Sequence, residues 1–167
     1  VGGIVSTGRL PAYARAHVQF GGRFLRISLN ALAQAKEQSP TIAHWIARYS
    51  DCLVAQLFQS AACNASHTIA QRLARWLIAT RDRIGSDEIV ITQEQLGEML
   101  GVGRSFINRS LRQLGSVGIL GSRRRRILIL DIDRLNMIAC DCNHRIRDHF
   151  DTILTGVYPS QRESVAA

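Results

Sequence analysis

The sequence predicts a mainly α-helical protein with small β elements: a winged helix-turn-helix domain preceded by a long helix and by the remnant of a β domain. Three observations carry this reading. Apolar residues recur at three- and four-residue steps over most of the chain, the period of helices with one buried face. Two such patterns meet at Gly101-Val102-Gly103, and directly after them two short apolar runs flank four consecutive arginines. The composition, 46% hydrophobic and 20% charged over 167 residues with 13 glycines and 3 prolines, is that of a globular chain able to bury a core. No apolar run approaches the roughly 20 residues that a membrane helix needs, so no membrane span is expected.

At the amino-terminal end, His17-Val18-Gln19-Phe20 and Arg23-Phe24-Leu25-Arg26-Ile27 surround Gly21-Gly22 and read as two short strands with a turn between them. So short a segment cannot close a sheet over its own core. Residues 1–38 are therefore expected to be the end of a β domain, and a chain that begins with Val1 is expected to be cut or a fragment. Ser39-Pro40 then gives a helix start, a hydroxyl cap followed by proline where a missing N–H is no loss. The long helix over residues 39–64 carries Ile42, Ile46, Tyr49, Leu53 and Leu57 in a near-heptad seam, widened by Trp45, Val54 and Phe58. Such a seam packs either on the chain's own domains or on a second copy of the helix, and the spacing leaves both open.

Residues 65–157 form the next expected domain. A helix with Ile69, Leu73, Trp76, Leu77 and Thr80 on one face should end at Gly85, where glycine takes the left-handed closing conformation. Ile89-Val90-Ile91 is a short β-type run, and Thr92-Gln93-Glu94-Gln95 is a capping box. Leu96, Met99 and Leu100 then face inward from one short helix, Ile107, Leu111 and Leu114 from the next. Small Gly97 lets the two helices approach, Gly101 supplies a turn with positive φ, and Val102 plugs the core beneath it. With those positions inward, the helical period turns Arg104, Ser105, Asn108, Arg109 and Arg112 outward, each with groups that reach a base edge or a phosphate.

Gly118 to Ser122 and Ile127 to Asp131 then read as the strands of a hairpin with Arg123, Arg124, Arg125 and Arg126 at its tip. Like charges one residue apart repel unless a polyanion neutralises them. From Ile132 to Val157 a single amphipathic helix is expected, with residues 158–167 as a frayed tail. Cys140, Cys142, His144 and His149 lie in that helix. Residues two apart on a helix point some 200° from each other, so no metal site is expected there, nor any other cofactor.

Charge sharpens the functional reading. The chain carries 21 Lys+Arg against 13 Asp+Glu, a net +8, and its only lysine is Lys36. Arginine suits planar, bidentate partners such as phosphate oxygens and guanine edges. Between Arg104 and Arg126 stand seven arginines and no acid, while the remaining 14 basic residues nearly balance the 13 acidic ones. The charge excess is thus a localised footprint for a polyanion. No nucleophile partner for a histidine and no spaced carboxylate pair appears, so catalysis is not expected. Four cysteines without a disulfide-like framework suit a reducing cytoplasm.

The order of the long helix, Ala70-Gln71-Arg72-Leu73-Ala74-Arg75-Trp76-Leu77, Leu96-Gly97-Glu98-Met99-Leu100-Gly101-Val102-Gly103-Arg104, Leu114 to Leu120 and the arginine wing resembles the Crp/Fnr family of bacterial transcription regulators over about residues 39–133. The resemblance implies a homodimer paired through the long helix at Ile42, Ile46, Tyr49, Leu53 and Leu57, with residues 1–38 as the end of a β-roll. It implies double-stranded DNA as partner, one recognition helix per half-site of a near-palindrome, and contact with RNA polymerase or its occlusion. By position Arg104 and Arg109 would read bases and Arg112 would meet a phosphate. Ser105 stands where the family often carries an acidic base-contacting residue. Thr92, Gln93 and the four wing arginines complete the expected DNA contacts. The stretch Gly8 to Ala16 offers Arg9 and Arg15 but no acid, and Glu37 is the first in the chain, so a cyclic nucleotide is not an expected ligand. The competing reading is a winged-helix module that binds protein, or a thiol or metal sensor, without specific DNA readout.

Overall fold

A computed structural model describes residues 18–157. Of these, the residues up to Phe58 and from Ile146 onward form one compact unit, and Gln59–Arg145 form the other.

The first unit holds α1 (Leu29–Gln38) and most of α2 (Pro40–Ser66). The hairpin expected around Gly21-Gly22 is not formed among the described residues 18–27, which contain no strand. Val18, Phe24, Leu25 and Ile27 are all exposed, so the segment lacks the apolar partner surface without which two short strands are not stable. Residues 29–38 are helical instead. Leu, Ala, Gln, Lys and Glu dominate that stretch, all good helix formers, and the Ser28 hydroxyl accepts from the Ala31 N–H at 3.1 Å to cap it. The cap expected at Ser39-Pro40 is present, with Ile42 N–H donating to the Ser39 hydroxyl at 3.4 Å. The helix that follows runs to Ser66, slightly beyond the expected end.

The second unit, Gln59–Arg145, covers residues 65–145 of the segment expected as one domain over 65–157, whose remainder falls in the first unit. Its helix α3 (Ile69–Ile84) starts with a reciprocal capping box between Thr68 and Gln71 and ends at Gly85, left-handed with φ 66°. Strand β1 (Glu88–Val90) leads into α4 (Gln93–Leu100) and α5 (Arg104–Ser116), followed by β2 (Leu120–Arg123) and β3 (Arg126–Ile129). The three strands form an antiparallel sheet in the order β1-β3-β2. Leu73, Leu77, Ile89, Leu96, Ile107 and Ile127 are fully buried and knit the helices to this sheet. The inward positions expected for the two-helix motif, Leu96, Leu100, Ile107, Leu111 and Leu114, are all buried, and Met99 is half-buried.

The long carboxy-terminal helix is two helices, α6 (Ile132–Ile138) and α7 (Cys142–Ile153). Asp131 caps the first by accepting from Arg134 N–H at 2.9 Å. Ala139 leaves the helix with an extended backbone, φ −62° and ψ 146°, and Cys140 lies in the break. The apolar period survives the break, since Leu135, Cys142 and Leu154 are buried and Ile146 and Phe150 half-buried. Cys140 and Cys142 are therefore not forced to point apart, because the regular helix that would impose it is interrupted between them. Residues 1–17 and the expected tail at 158–167 lie outside the described residues, as do Arg9, Arg15 and His17. Among the described residues no helix is long and apolar enough to cross a membrane.

Candidate nucleic-acid interface

The candidate surface is built on the α4–α5 turn. A Cβ added at Gly97 would lie 2.7 Å from the Val102 carbonyl oxygen, so only glycine lets α5 enter this close to α4. Gly101 closes α4 with φ 64°, and Val102 N–H donates to the Gly97 carbonyl at 2.9 Å. Arg72, buried on α3, donates to the Leu100 carbonyl and satisfies a carbonyl at the end of α4 that no helical N–H can reach. Nothing in the sequence marks that role, since an arginine on a helix reads as surface.

On this frame Arg104, Ser105, Arg109 and Arg112 are all exposed along α5. Asn108 differs. It is half-buried, and its Nδ2 donates to Gln93 Oε1 at 3.1 Å, so the two expected contact residues hold each other and fix α5 against the start of α4. Thr92 accepts from Gln95 N–H at 3.1 Å, with Gln95 accepting in return from the Thr92 N–H at 3.0 Å, so the Thr92 side chain is engaged in the cap. Gly103, by contrast, caps α5 with no side-chain bond and no acid follows in the first turn. The amino-terminal N–H groups of the helix carrying Arg104 are left open to an anion.

Phe106 joins this face, an addition to the residues expected from the sequence. It is 48% exposed on α5, and the Arg109 guanidinium lies 5.9 Å from its ring centroid. That cation–π contact orders the arginine by about 0.5–1 kcal/mol at an exposed site. The only clue in the sequence is its place one step from Ile107, at the edge of the apolar stripe.

The wing turns through Arg124 and Arg125, and Arg125 takes a positive φ of 60°, which side-chain-bearing residues rarely adopt. Its carbonyl accepts from Ile91 N–H at 3.1 Å and ties the wing tip to the end of β1. All four arginines of the tip are exposed, and Arg123 and Arg126 stand directly opposite each other in the ladder. Like charges so placed destabilise a strand pair. Arg126 finds relief in an ion pair with Glu88 on β1; no ion pair holds Arg123, Arg124 or Arg125 among the described residues. The wing and α5 enclose a cleft of about 380 Å³ lined by Arg104, Asn108, all four wing arginines and the Thr92-Gln93-Glu94 start of α4. Helix α5 and the wing thus converge on one cationic groove, with Glu94 the acid among its lining residues.

Residues 71–138 match the model of the Crp-like helix-turn-helix domain. This segment is similar to that domain, and it holds the whole groove just described. No curated protein sequence matches the chain. Among solved structures, a protein of Eubacterium rectale ATCC 33656 described as a transcriptional regulator of the Crp/Fnr family is 25% identical, with a TM-score of 0.52 over 66% of this chain and 51% of that one. FixK2 of Bradyrhizobium japonicum is 20% identical, with a TM-score of 0.62 over 68% of this chain and 60% of its own, and shares the fold. The chain therefore spans about half to three-fifths of the length of these neighbours.

The expected dimerisation seam divides into two parts. Ile42, Ile46, Tyr49 and Leu53 are half-buried within the chain's own first unit, and Tyr49 meets the Phe150 ring edge-on at 6.3 Å between centroids. Leu57 is exposed at 69%, beside Val54 at 47% and Phe58 at 73%. The uncovered apolar stripe of α2 is thus turned from the expected seam and shares only Leu57 with it.

Proposed function

We propose that the chain is a sequence-specific DNA-binding transcription regulator acting as a homodimer on a near-palindromic operator. The observation that carries this is the single groove lined by Arg104, Asn108 and the four wing arginines, a strongly cationic surface suited to a sugar–phosphate backbone. The Crp-like domain and the Crp/Fnr description of the Eubacterium neighbour support the same reading. The reading makes α5 the major-groove helix: Arg104 and Arg109 donate to guanine O6 and N7 or equivalent acceptors, and Phe106 offers an apolar surface to a thymine methyl. Arg112, the open N–H groups after Gly103 and the wing arginines hold phosphates and fix register without reading sequence. Asn108 and Gln93 brace α5 rather than reach bases. The mode of action is binding rather than catalysis, with RNA polymerase contacted or occluded on cytoplasmic bacterial DNA.

The dimer half of the proposal rests on the exposed stripe Val54, Leu57 and Phe58, an apolar surface that a second α2 would cover. Selection of bound sequences from random duplexes tests both halves. It should return two half-sites whose centres are one helical turn apart, and Arg104→Ala should relax preference at one base pair by about 1–3 kcal/mol. A gel shift that is absent, or indifferent to salt, would favour a protein-binding winged helix instead.

A further inference from the structure

Four side chains of metal-ligand type converge in the second unit, away from the arginine groove. Cys63 stands in the last turn of α2 and His67 just beyond its end, with the His67 N–H still bonded to the Cys63 carbonyl at 3.1 Å. Cys140 lies in the break between α6 and α7, and Cys142 opens α7. The three cysteines are buried and His67 is half-buried. The Sγ atoms of Cys63 and Cys140 are 3.6 Å apart, and Cys142 Sγ lies 3.5 Å from His67 Nδ1. All four donor atoms fall within 4.8 Å of one another.

Those separations have a geometric meaning. A tetrahedral ion with metal–sulfur bonds of about 2.3 Å and metal–nitrogen bonds of about 2.0–2.1 Å sets its ligands about 3.8 Å apart for two sulfurs and about 3.6 Å for sulfur and nitrogen. The two measured edges are already near these lengths. We propose that Cys63, His67, Cys140 and Cys142 form a closed site for one thiophilic divalent ion, Zn²⁺ foremost, held by three thiolates and the His67 imidazole through Nδ1.

The surroundings fit that assignment better than they fit the alternatives. Gln59 Nε2 donates to Cys142 Sγ at 3.1 Å, the kind of outer hydrogen bond that orients a ligand and steadies its charge. Three thiolates around a dication leave one negative charge. Arg75 supplies the compensating cation: its field favours the Cys63 thiolate, and its Nε is buried without a hydrogen-bond partner. Loading replaces the thiol protons of Cys63, Cys140 and Cys142 by bonds to the ion and involves no redox change. A Cys63–Cys140 disulfide would use two of the four groups and leave Cys142 and His67 without a purpose. An iron–sulfur cluster would spread its cysteines around several irons, whereas these donors crowd around one point. All four ligands lie outside residues 71–138, so the site is additional to the matched domain and clasps its two ends.

The test uses the whole 167-residue chain, reduced and stripped of metal, then titrated with Co²⁺ and displaced with Zn²⁺. The expected result is one ion per chain, with the thiolate-to-cobalt charge-transfer band and the intense visible bands of a tetrahedral site, both lost on adding Zn²⁺. Zn²⁺ affinity should fall at least about 100-fold in Cys142→Ser and Cys63→Ser and about 10-fold in Gln59→Ala. Arg112→Ala should leave it unchanged. A weak, octahedral cobalt spectrum, an unchanged affinity in a folded Cys142→Ser protein, or a Cys63–Cys140 disulfide in the Zn²⁺-treated protein would overturn the proposal. The wild-type spectrum decides the matter even where a variant does not fold, and none of these readouts depends on DNA binding.

Discussion

The arginine groove and the cysteine pocket are built on opposite terms. The groove gathers exposed like charges from one stretch of chain, residues 91–127, and leaves most of them uncompensated. The pocket gathers buried, mostly neutral groups from segments 77 residues apart and surrounds them with a donor and a cation. The first surface is held apart by its own repulsion and waits for an external anion. The second is nearly satisfied from within and needs only a small cation at its centre. Substitutions should therefore separate cleanly: those beneath the groove change stability, those on it change binding, and those at the pocket change metal affinity.

The largest effect belongs to the layer under the groove. Ile107→Ala, at a fully buried position, should destabilise the protein by about 2–5 kcal/mol in denaturant melts. It should also abolish DNA binding near its melting point, because α5 rests on that side chain. Replacing all four wing arginines by alanine is the complementary experiment. Stability should hold or rise, while the slope of log K against log salt should shrink by about 0.9 for each phosphate that the wing no longer neutralises. An unchanged slope would remove the wing from the interface. Thr92→Ala breaks the capping box and should cost about 1 kcal/mol of stability in the same melts. The smallest and most diagnostic change is Arg125→Gly. It relieves a residue at φ 60° and should raise the melting temperature, by about 1 kcal/mol of stability at most, while weakening binding at low salt. A lower melting temperature would mean that the wing turn is held by more than its backbone.

The same contrast decides what is legible in the sequence. The helix-turn-helix and the wing are legible because every constraint on them is local: a capping box at Thr92, a close approach at Gly97, a left-handed turn at Gly101, and apolar positions at helical spacing from Leu96 to Leu114. Charge along one face then identifies the outward residues. The pocket is illegible for the opposite reason. Its decisive step is the departure of Ala139 from helix, which brings Cys140 and Cys142 to one side, and its fourth ligand, His67, lies 75 residues from Cys142. His144, four residues from Cys140 along the chain, is exposed and is not among the four converging groups. The exposed stripe of α2 escapes a sequence reading similarly, since only the packing of Tyr49 on Phe150 reveals which apolar face the chain already uses. The helix at Leu29–Gln38 is written in its composition but is masked by the glycines and β-prone residues before it.

The hydrogen bond between Asn108 and Gln93 bears on time rather than on affinity. The pace of encounter is set by charge steering, whereas the bond from Asn108 Nδ2 to Gln93 Oε1 acts afterwards, bracing α5 against the start of α4. Severing that link would scarcely slow arrival. It would shorten residence, because the helix lying in the groove would be free to rock against the start of α4, and each rocking motion would loosen several contacts together.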